Sequence, residues 1–434
     1  MTRTPRDALK HAGKPLTAEG ARRAYAKIVS QGIDFRKNHP PRLDRRYIIV
    51  GGSGLVGCQI ALDLLDGGTP PSAIRLIDIR HPLREEFTAS GRALHVAFIQ
   101  ADITSETSTA EAFEAAWPGD VADLPLTVFH TAAVIRPYER HRLLYSRCSR
   151  VNVVGVAHSI SCAQKVGAGV FVSTSSSHAA ARNVGWFSTP WLKEPKNFTQ
   201  LLSEQDFSEP IKKHDEFVSN YARSKAEAER LVCGVNGRMR TGCIRPGNAV
   251  YGHKDDNMIG RIIRLRKVPT FSAPWVQSWV SVRNVSLAHL LLEKEILGPY
   301  ADKISGRPFM VTDNGSPIRF QDMYTLLGAT SRTGLTIDYP PPALLLMVAY
   351  LVEWYCVMLA RAPFLKTVLS EPVDPLILFQ PGTVGSSASQ IVTDEVARGK
   401  PEEGGLGYRG YCSTLEGMCM QVEEWNRHVD GGGT

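Results

Sequence analysis

A glycine-rich turn early in the chain limits the fold more than any other feature. Residues 47–50 read Tyr-Ile-Ile-Val, and Gly51, Gly54 and Gly57 follow in a GxxGxxG pattern that leads into the amphipathic segment 58–65. Backbone N–H groups at the start of such a helix, together with the helix dipole, can bind a pyrophosphate without any side chain. The pattern therefore predicts the first strand, turn and helix of a dinucleotide-binding domain.

Similar apolar, β-branched runs recur after this turn. They lie at residues 74–79, 96–99, 126–129 and 170–173, and helical patterns separate them. Such alternation is typical of βαβ units, in which helices cover both faces of a parallel sheet. We predict an α/β fold of the Rossmann type with a doubly wound parallel sheet.

The alternation stops near residue 252, where Pro and Gly become frequent. We predict a nucleotide-binding domain over residues 47–252 and a smaller substrate-binding portion over residues 253–434. Residues 279–285 still have the pattern of a strand, so we expect segment 276–290 to return to the main sheet. The two parts are then interleaved rather than sequential.

The net charge of +7 resides in the first 46 residues, which hold twelve Lys or Arg against four Asp or Glu. This stretch has no base-reading motif and few aromatic residues, which disfavours nucleic acid as a partner. It also lacks the apolar centre of a secretory signal. We interpret residues 1–46 as a solvated basic extension that could contact an anionic membrane face.

The eight cysteines are scattered along a chain of ordinary globular composition, 43% hydrophobic and 21% charged. They form no CxxC pair and no Cys/His spacing typical of a metal site. The pattern favours reduced thiols in a cytosolic compartment and predicts no metal ion.

A second unusual stretch is the apolar segment 343–360, which follows three consecutive prolines. Eighteen helical residues are about 27 Å long, which is at the lower bound for crossing a bilayer. Glu353 lies inside the segment, and a carboxylate near the bilayer centre is costly. We therefore predict a monotopic or partly buried helix, with lipid contacts at Leu345, Leu346, Val348 and Leu351.

The acid at the end of the second run indicates which dinucleotide binds. A carboxylate at Asp78 can accept both ribose hydroxyls of NAD and repels a 2′-phosphate. Arg80 leaves NADP as the alternative, because a cation there could pair with that phosphate. Asp102 and Ile103 are expected beside the adenine, and Ala132 where the cofactor backbone passes closely.

The chemistry is indicated by the sequence YARSK, which places Tyr221 and Lys225 on one face of a helix. A free tyrosine ionises near about pH 10, and a neighbouring cation favours the phenolate and lowers that pKa. The serine-rich segment 173–177 supplies a hydroxyl that can hydrogen-bond a substrate oxygen. The residues alone leave open which hydroxyl does so.

Together these motifs resemble the extended short-chain dehydrogenases, and more narrowly the group of 3β-hydroxysteroid dehydrogenases and decarboxylating sterol-4α-carboxylate 3-dehydrogenases. The resemblance covers about residues 47–320. The matching stretches are VGGSGLVG (50–57), LIDIR (76–80), VFHTAA (128–133), VNVVG (151–155), STSSS (173–177), YARSK (221–225), IRPGNAVYG (244–252) and WVSVRNVSLAH (279–289).

By position, the family resemblance assigns the catalytic serine, tyrosine and lysine to Ser176, Tyr221 and Lys225, with Asn152 close to the site. It implies NAD-dependent oxidation of the 3β-hydroxyl of a sterol or related polycyclic lipid. Tyr221 would take the hydroxyl proton, Lys225 would lower its pKa and bind the nicotinamide ribose, and Ser176 would hold the oxygen. A 4α-carboxylate, if present, would be lost as carbon dioxide.

The apolar segment 343–360 and the basic extension 1–46 together indicate where the protein works. We expect it at the cytosolic face of the endoplasmic reticulum membrane, or in the cytoplasm, with a membrane surface as a partner, and a homodimer stays open. The segment between the catalytic serine and tyrosine is longer than is usual in the family. It contains Trp186, Phe187 and Trp191 where substrate is expected to enter.

Two other functions stay open from the sequence. The first is a reductase or epimerase of the same extended class that acts on a sugar nucleotide or a specialised metabolite. Sugar-nucleotide dehydratases of this class carry an acidic pair after the active-site hydroxyl, where this chain has Ser177 and His178. The second is a non-catalytic dinucleotide sensor, which retention of the serine, tyrosine and lysine disfavours.

Overall fold

The computed structural model describes residues 3–88, 91–186 and 194–432. The strands are β1 (Arg46–Val50), β2 (Ile74–Asp78), β3 (Ala97–Gln100), β4 (Leu126–His130), β5 (Val170–Thr174), β6 (Thr199–Leu202), β7 (Arg240–Pro246), β8 (Val250–Tyr251), β9 (Lys267–Pro269), β10 (Val276–Gln277), β11 (Val280–Ser281), β12 (Pro308–Val311), β13 (Ile318–Arg319), β14 (Thr336–Asp338) and β15 (Ser389–Val392). The helices are α1 (Arg6–Leu9), α2 (Ala18–Gln31), α3 (Leu55–Asp66), α4 (Glu106–Glu114), α5 (Ser146–Ser149), α6 (Val156–Lys165), α7 (Asn220–Gly234), α8 (Ile259–Leu265), α9 (Val282–Ile296), α10 (Ala301–Ile304), α11 (Phe320–Thr330), α12 (Pro342–Arg361), α13 (Pro381–Ser386), α14 (Glu395–Arg398) and α15 (Thr414–Asp430).

Seven parallel strands form the main sheet in the order β12-β7-β5-β4-β1-β2-β3. The five apolar runs found in the sequence all form strands of this sheet. The order reverses beside β1, which is the topological switch point where a dinucleotide binds in doubly wound folds. The predicted Rossmann-type α/β fold is confirmed.

Both faces of the main sheet are buried, because successive side chains of a strand point to opposite faces. On β1, Tyr47 and Ile49 pack in a cluster with residues of α3 and α9. Ile48 and Val50 pack in a second cluster with residues of α4, α6 and α7. The strands are therefore apolar at nearly every position, as the sequence shows.

A smaller sheet, β13-β10-β15-β6, lies in the second part of the molecule. Its core contains the buried indoles of Trp275, Trp279 and Trp425. Strand β6 comes from the segment between β5 and α7, whereas the other three strands come from the C-terminal half. The smaller part is thus assembled from distant segments of the chain.

The strand predicted over residues 279–285 is wrong for most of its length. Only β11 is extended, and it pairs with β8 outside the main sheet. Helix α9 begins at Val282, where the Asp313 carboxylate accepts hydrogen bonds from the Ser281 N–H and the Asn284 amide, each 2.7 Å long. Burial of α9 against the main sheet outweighs the preference of its valines for strands. The seventh strand of the main sheet is β12 instead.

The interpretation of residues 1–46 as a solvated extension is also wrong. Helix α2 packs against α11 and α15 and buries Ala21 and Ile28. The Tyr25 hydroxyl donates a 2.5 Å hydrogen bond to Glu423, and the Leu16 N–H donates one of 2.8 Å to Asp322. Helix α2 has few apolar residues in its sequence, but the face that carries them packs into the hydrophobic core of the smaller part of the molecule.

The apolar segment forms helix α12, long and apolar enough by length and composition to cross a membrane. Glu353 faces the rest of the protein and forms a bidentate ion pair with Arg140, at 2.7 and 2.9 Å. Of the expected lipid contacts, Leu351 is exposed but Leu346 is buried. The helix therefore has one face on the protein and one apolar face on the surface.

Candidate active site

The glycine turn lies between the carboxyl ends of β1, β2 and β4. Gly51 has a φ of +81°, and a Cβ added there would lie 2.3 Å from the backbone nitrogen of Ala132. A Cβ on Gly57 would lie 2.3 Å from the Gly51 carbonyl oxygen, and Gly54 precedes the first residue of α3. The turn thus brings the start of α3 against the sheet edge, a geometry that fits a pyrophosphate.

Asp78 lies at the end of β2, beside this turn. Its carboxylate accepts hydrogen bonds from the N–H groups of Ser53, at 3.1 Å, and Ile79, at 2.7 Å. The backbone oxygen of Asp78 accepts from the Ala101 N–H at 2.9 Å, which places Asp102 next to it. Arg80 is exposed, and only its backbone carbonyl contacts the turn, through the Ser53 hydroxyl at 2.6 Å. The geometry favours a ribose with two free hydroxyls at Asp78.

The remaining residues predicted for the cofactor surround the same edge. Ile103 is buried against Gly155, and its carbonyl accepts from His158 at 2.9 Å. The Ala132 N–H donates to the Val50 carbonyl at 3.1 Å, so the segment after β4 runs directly over the turn. All predicted cofactor residues therefore lie along one edge of the main sheet.

Tyr221 and Ser176 lie together at the carboxyl end of β5. Tyr221 is the second residue of α7, whose N-cap Ser219 accepts a hydrogen bond from the Ala222 N–H. The Ser176 hydroxyl accepts a 3.2 Å bond from the His178 N–H. The His178 ring lies edge-on to the Tyr221 ring, with centroids 6.4 Å apart.

Lys225 lies on the same face of α7, one turn after the tyrosine. Its ammonium donates a 2.8 Å hydrogen bond to the Thr174 carbonyl and lies 6.0 Å from the centroid of the Tyr221 ring. Burial lowers the pKa of Lys225 to about 8. Among the described residues only the Thr174 carbonyl accepts from it, so the ammonium has N–H donors left for hydroxyl groups of a bound ribose.

The expected lowering of the tyrosine pKa is not found in the protein alone. Burial raises the pKa of Tyr221 to about 12, and the Ser176 hydroxyl opposes only part of that rise. The reason is that removal from water penalises a phenolate, and the Lys225 ammonium is directed at the Thr174 carbonyl. Positive charge on a bound cofactor beside the ring would favour the phenolate.

Asn152 connects the cofactor edge to the tyrosine helix. Its amide donates to the Val134 carbonyl at 3.0 Å and to the Ser224 hydroxyl at 2.9 Å, and it accepts from the Val134 N–H at 2.8 Å. It lies in a π-helical turn, Arg150–Gly155, between α5 and α6. Such turns are frequent at functional sites.

Several buried polar atoms around this edge have no hydrogen-bond partner within the described residues. They are the hydroxyls of Ser175 and Ser177, both ring nitrogens of His130 and Nε2 of His178. Burial lowers the pKa of His130 to about 3 and that of His178 to about 4, so both rings are neutral. Unsatisfied polar groups are costly inside a protein and are typical where a ligand completes the site.

One feature of the site was missed by sequence reasoning. His178 is held against the Ser386 carbonyl, so helix α13 forms a wall of the site. Nothing in the local sequence relates residues two hundred positions apart. In the long segment between Ser176 and Tyr221, Trp186 is buried, whereas Phe187 and Trp191 lie outside the described residues.

The sequence model of the 3-beta hydroxysteroid dehydrogenase/isomerase family matches residues 48–330. The chain belongs to this family. Its members are oxidoreductases that act on CH–OH groups, and the protein is an enzyme of that kind. The matched region contains the glycine turn and all three predicted catalytic residues.

Several relatives are about a quarter identical to the chain over the residues that align. Short-chain dehydrogenase/reductase family 42E member 1 of Xenopus laevis is 25% identical over 330 residues, which are 72% of this chain and 75% of the relative. A decarboxylating sterol-4-alpha-carboxylate 3-dehydrogenase of Candida albicans is 26% identical over 283 residues, or 63% and 71%. A 3-beta-hydroxysteroid dehydrogenase of Mycolicibacterium neoaurum is 26% identical over 264 residues, or 58% and 59%.

Solved structures show the same fold at lower identity. The UDP-glucose 4-epimerase of Thermotoga maritima with UDP-glucose has a TM-score of 0.55 and 18% identity, and the match covers 88% of this chain and 99% of the epimerase. The UDP-glucose 4-epimerase of Thermus thermophilus in complex with NAD has a TM-score of 0.53 and 16% identity, with 88% and 98% covered. Family membership and fold thus agree.

Replacing Asp78 with Ala should weaken NAD binding and narrow the preference for NAD over NADP by about tenfold. The substitution removes charge-assisted hydrogen bonds to the ribose, which are typically worth about 1.5–3 kcal/mol. It also removes the negative charge that repels a 2′-phosphate. Steady-state kinetics with both cofactors would measure the ratio. Arg80→Ala is the comparison, and an unchanged ratio in Asp78→Ala would assign the preference to Arg80.

Proposed function

We propose that the protein oxidises the 3β-hydroxyl of a sterol or related polycyclic lipid and that its cofactor is NAD. The observation that carries this proposal is the juxtaposition of Tyr221, Ser176 and Lys225 at the sheet edge that also holds the glycine turn and Asp78. NAD⁺ would supply the hydride acceptor. The same sheet edge thus provides the glycine turn for a pyrophosphate, Asp78 for a ribose, and Tyr221 for proton transfer.

The chain's own residues then divide the reaction between them. Ser176 donates a hydrogen bond to the substrate oxygen and orients the carbinol. Tyr221 accepts the hydroxyl proton while the carbinol carbon loses its hydride, so the C–O single bond becomes a carbonyl. Lys225 holds ribose hydroxyls of the cofactor with the N–H donors that Thr174 leaves free. The products are a 3-ketone, a reduced cofactor and a proton that leaves through Tyr221.

A sterol is proposed as substrate because relatives are named a sterol-4-alpha-carboxylate 3-dehydrogenase and a 3-beta-hydroxysteroid dehydrogenase. The apolar helix α12 supports a lipid substrate as well, since it packs on α13 in the wall of the site. Where the substrate carries a 4α-carboxylate, the product ketone makes it a β-keto acid. The carboxylate carbon then leaves as carbon dioxide, and the bonding electrons pass into the ketone as an enolate. No additional catalytic group is required for this second step.

We place the enzyme at the cytosolic face of the endoplasmic reticulum membrane, where a membrane sterol and cytosolic NAD meet. The apolar outer face of α12 supports this location. Fractionation of cells that express the full chain would test it. If the protein were recovered only in the cytosolic fraction, the membrane location would be wrong and the enzyme would be cytoplasmic.

The experiment for the function is a substrate panel. Purified protein with NAD⁺ should oxidise 3β-hydroxysterols, which NADH absorbance and product mass would report. Matched substrates with and without a 4α-carboxylate decide whether decarboxylation follows. UDP-glucose is included because the fold is shared with its epimerases. Epimerisation changes neither the amount of NADH nor the product mass, so chromatographic separation of the sugar-nucleotide isomers follows it, and conversion of the sugar nucleotide alone would overturn the proposal.

A further inference from the structure

The proposed catalytic groups are closed off in this structure. Tyr221, Ser176 and Lys225 are only 8%, 9% and 4% exposed. Helix α13 packs on the segments around them: a Cβ on Gly382 would lie 2.5 Å from the Pro137 and Tyr138 carbonyl oxygens, and the Ser386 carbonyl at the end of α13 contacts His178, whose ring lies beside Tyr221. A polycyclic substrate therefore needs a wider entrance to reach so buried a phenol, and α13 is part of the wall, or cover, that would have to move.

The cover is joined to the outer helix α12. Helices α12 and α13 pack on each other, and the Gln380 amide before α13 lies 4.0 Å from the thiol of Cys356 on α12. A Cβ on Gly385 would touch Val218, at 3.1 Å, just before the tyrosine helix. Movement of α12 would therefore be transmitted to the wall of the site.

Two ion pairs hold this cover on the loop beside Tyr221. Arg140 pairs with Glu353 of α12, and Arg147 pairs with Glu371 at 2.6 Å. The same loop accepts a 2.7 Å hydrogen bond at the Glu139 carbonyl from the N–H of Asn220, the residue that precedes Tyr221. The contacts run without interruption from α12 to the catalytic tyrosine.

The opposite side of the cover is an apolar surface. We define it by six side chains that are between 51% and 84% exposed: Leu344, Met347, Leu351, Trp354, Phe364 and Val368. The first four recur at helical spacing and therefore form one stripe of α12. Contiguous exposed apolar areas of this kind mark sites of association.

Charges at the border of the apolar surface indicate what it binds. Arg361 and Arg142 are exposed, and within residues 3–88, 91–186 and 194–432 neither takes part in an ion pair. Arg361 is the last residue of α12, and Arg142 belongs to the turn 142–144, which packs on α12 through Leu144, so both cations border the apolar surface. An apolar face bordered by unpaired cations is complementary to an anionic lipid bilayer, in which the cations meet phosphate headgroups.

We infer that the apolar surface docks on an anionic bilayer and that docking moves α12 and α13 away from Tyr221, so that the lipid surface opens the active site. The segment 342–388 is thus a lid. This inference rests on the proposed function, because it explains how a lipid alcohol reaches a closed site. A bilayer can favour the open state only if it binds that state more strongly. Outward movement of α12 lets its exposed apolar stripe insert more deeply, while its inner side, which carries Cys356, faces the opened entrance of the site.

Docking is tested by flotation of the full chain on vesicles of phosphatidylcholine with and without phosphatidylserine. The protein should float with the anionic vesicles, and the triple substitution Leu344→Ser, Met347→Ser and Leu351→Ser should reduce the bound fraction at least about tenfold. The matched control is Leu83→Ser, Leu201→Ser and Leu297→Ser, at exposed leucines outside the surface, which should float normally. Failure of the unmodified protein to float would overturn the inference.

Opening is tested by the reactivity of Cys356, one of eight cysteines that are all unpaired and buried. Anionic vesicles should raise the alkylation rate of Cys356 by about tenfold or more, because a minor open state is populated to about 10% or less without lipid. Cys58 in α3 should stay protected. The pair Arg140→Gln and Glu353→Gln should label rapidly without vesicles, whereas the exposed pair Arg332→Gln and Asp430→Asn should not.

Turnover separates this inference from the proposed function. A 3β-hydroxysteroid without the sterol side chain, kept below its solubility limit, should be oxidised about tenfold faster with anionic vesicles. Equal turnover and equal Cys356 labelling with and without vesicles would overturn the lid and leave the function intact. Vesicle-dependent labelling without any steroid turnover would overturn the function and support the lid.

Discussion

Replacing Tyr221 with Phe should lower kcat for the alcohol oxidation by about 10²–10⁴-fold, the usual contribution of a general acid–base group. NAD⁺ affinity should remain within about threefold of normal, because the substitution removes a proton acceptor and not a predicted cofactor contact. Steady-state kinetics and titration calorimetry would measure the two effects separately. The substitution removes one oxygen and keeps the buried ring, so the packing of α7 is retained.

Tyr145→Phe is the matched control, because this nearby phenol donates to Glu227 and takes no part in the proposed proton transfer. It should keep near-normal turnover. Near-normal turnover of Tyr221→Phe would show instead that another group takes the proton. The raised pKa of Tyr221 in the protein alone also predicts that the phenol is protonated until cofactor charge enters the site.

Replacing Gly57 with Ala should abolish detectable NAD⁺ binding at concentrations that saturate the normal enzyme, and should destabilise the fold. The added Cβ would lie 2.3 Å from the Gly51 carbonyl oxygen and 2.8 Å from the Gly52 Cα. Neither backbone atom can retreat, because Gly51 is itself packed on Ala132. Overpacking of this kind typically costs about 1–3 kcal/mol in the free energy of unfolding.

Gly119→Ala is the control for the added methyl group, since a Cβ there meets no atom within 4 Å. Its thermal midpoint and its NAD⁺ binding should match those of the unmodified protein. Calorimetric binding of NAD⁺ by Gly57→Ala with normal affinity would show that the cofactor pyrophosphate lies elsewhere. Circular dichroism on both variants would separate loss of binding from loss of the fold.

The main sheet was predictable because its determinants are local. Apolar runs such as 74–79 predict buried parallel strands, and the spacing of Gly51, Gly54 and Gly57 predicts a tight turn before a helix. The strand prediction for residues 279–285 was wrong because the structure of this segment is determined by distant contacts. Its valines favour a strand locally, but packing of α9 on the main sheet and the hydrogen bond to Asp313 stabilise a helix.

The candidate site was only partly predictable. The YARSK spacing placed Tyr221 and Lys225 on one face, but the choice of Ser176 among five neighbouring positions came from family resemblance. The wall formed by α13 and the inward face of α12 depend on contacts with Arg140 and His178, which are far away in the sequence. Periodicity shows that a helix is apolar but not which of its sides meets the protein.

Strand β6 has a consequence for how enzymes with this architecture can diversify. It lies in the chain between β5, which carries Ser176 at its end, and α7, which carries Tyr221, yet it pairs with β15 in the smaller sheet. The chain segment that joins β5 to α7 therefore leaves the main sheet, contributes a strand to the smaller sheet, and returns to the main sheet. Residues can be added to or removed from this segment without changing the register of the seven-stranded sheet. Substrate preference and cofactor binding can accordingly evolve at different rates within one folded unit.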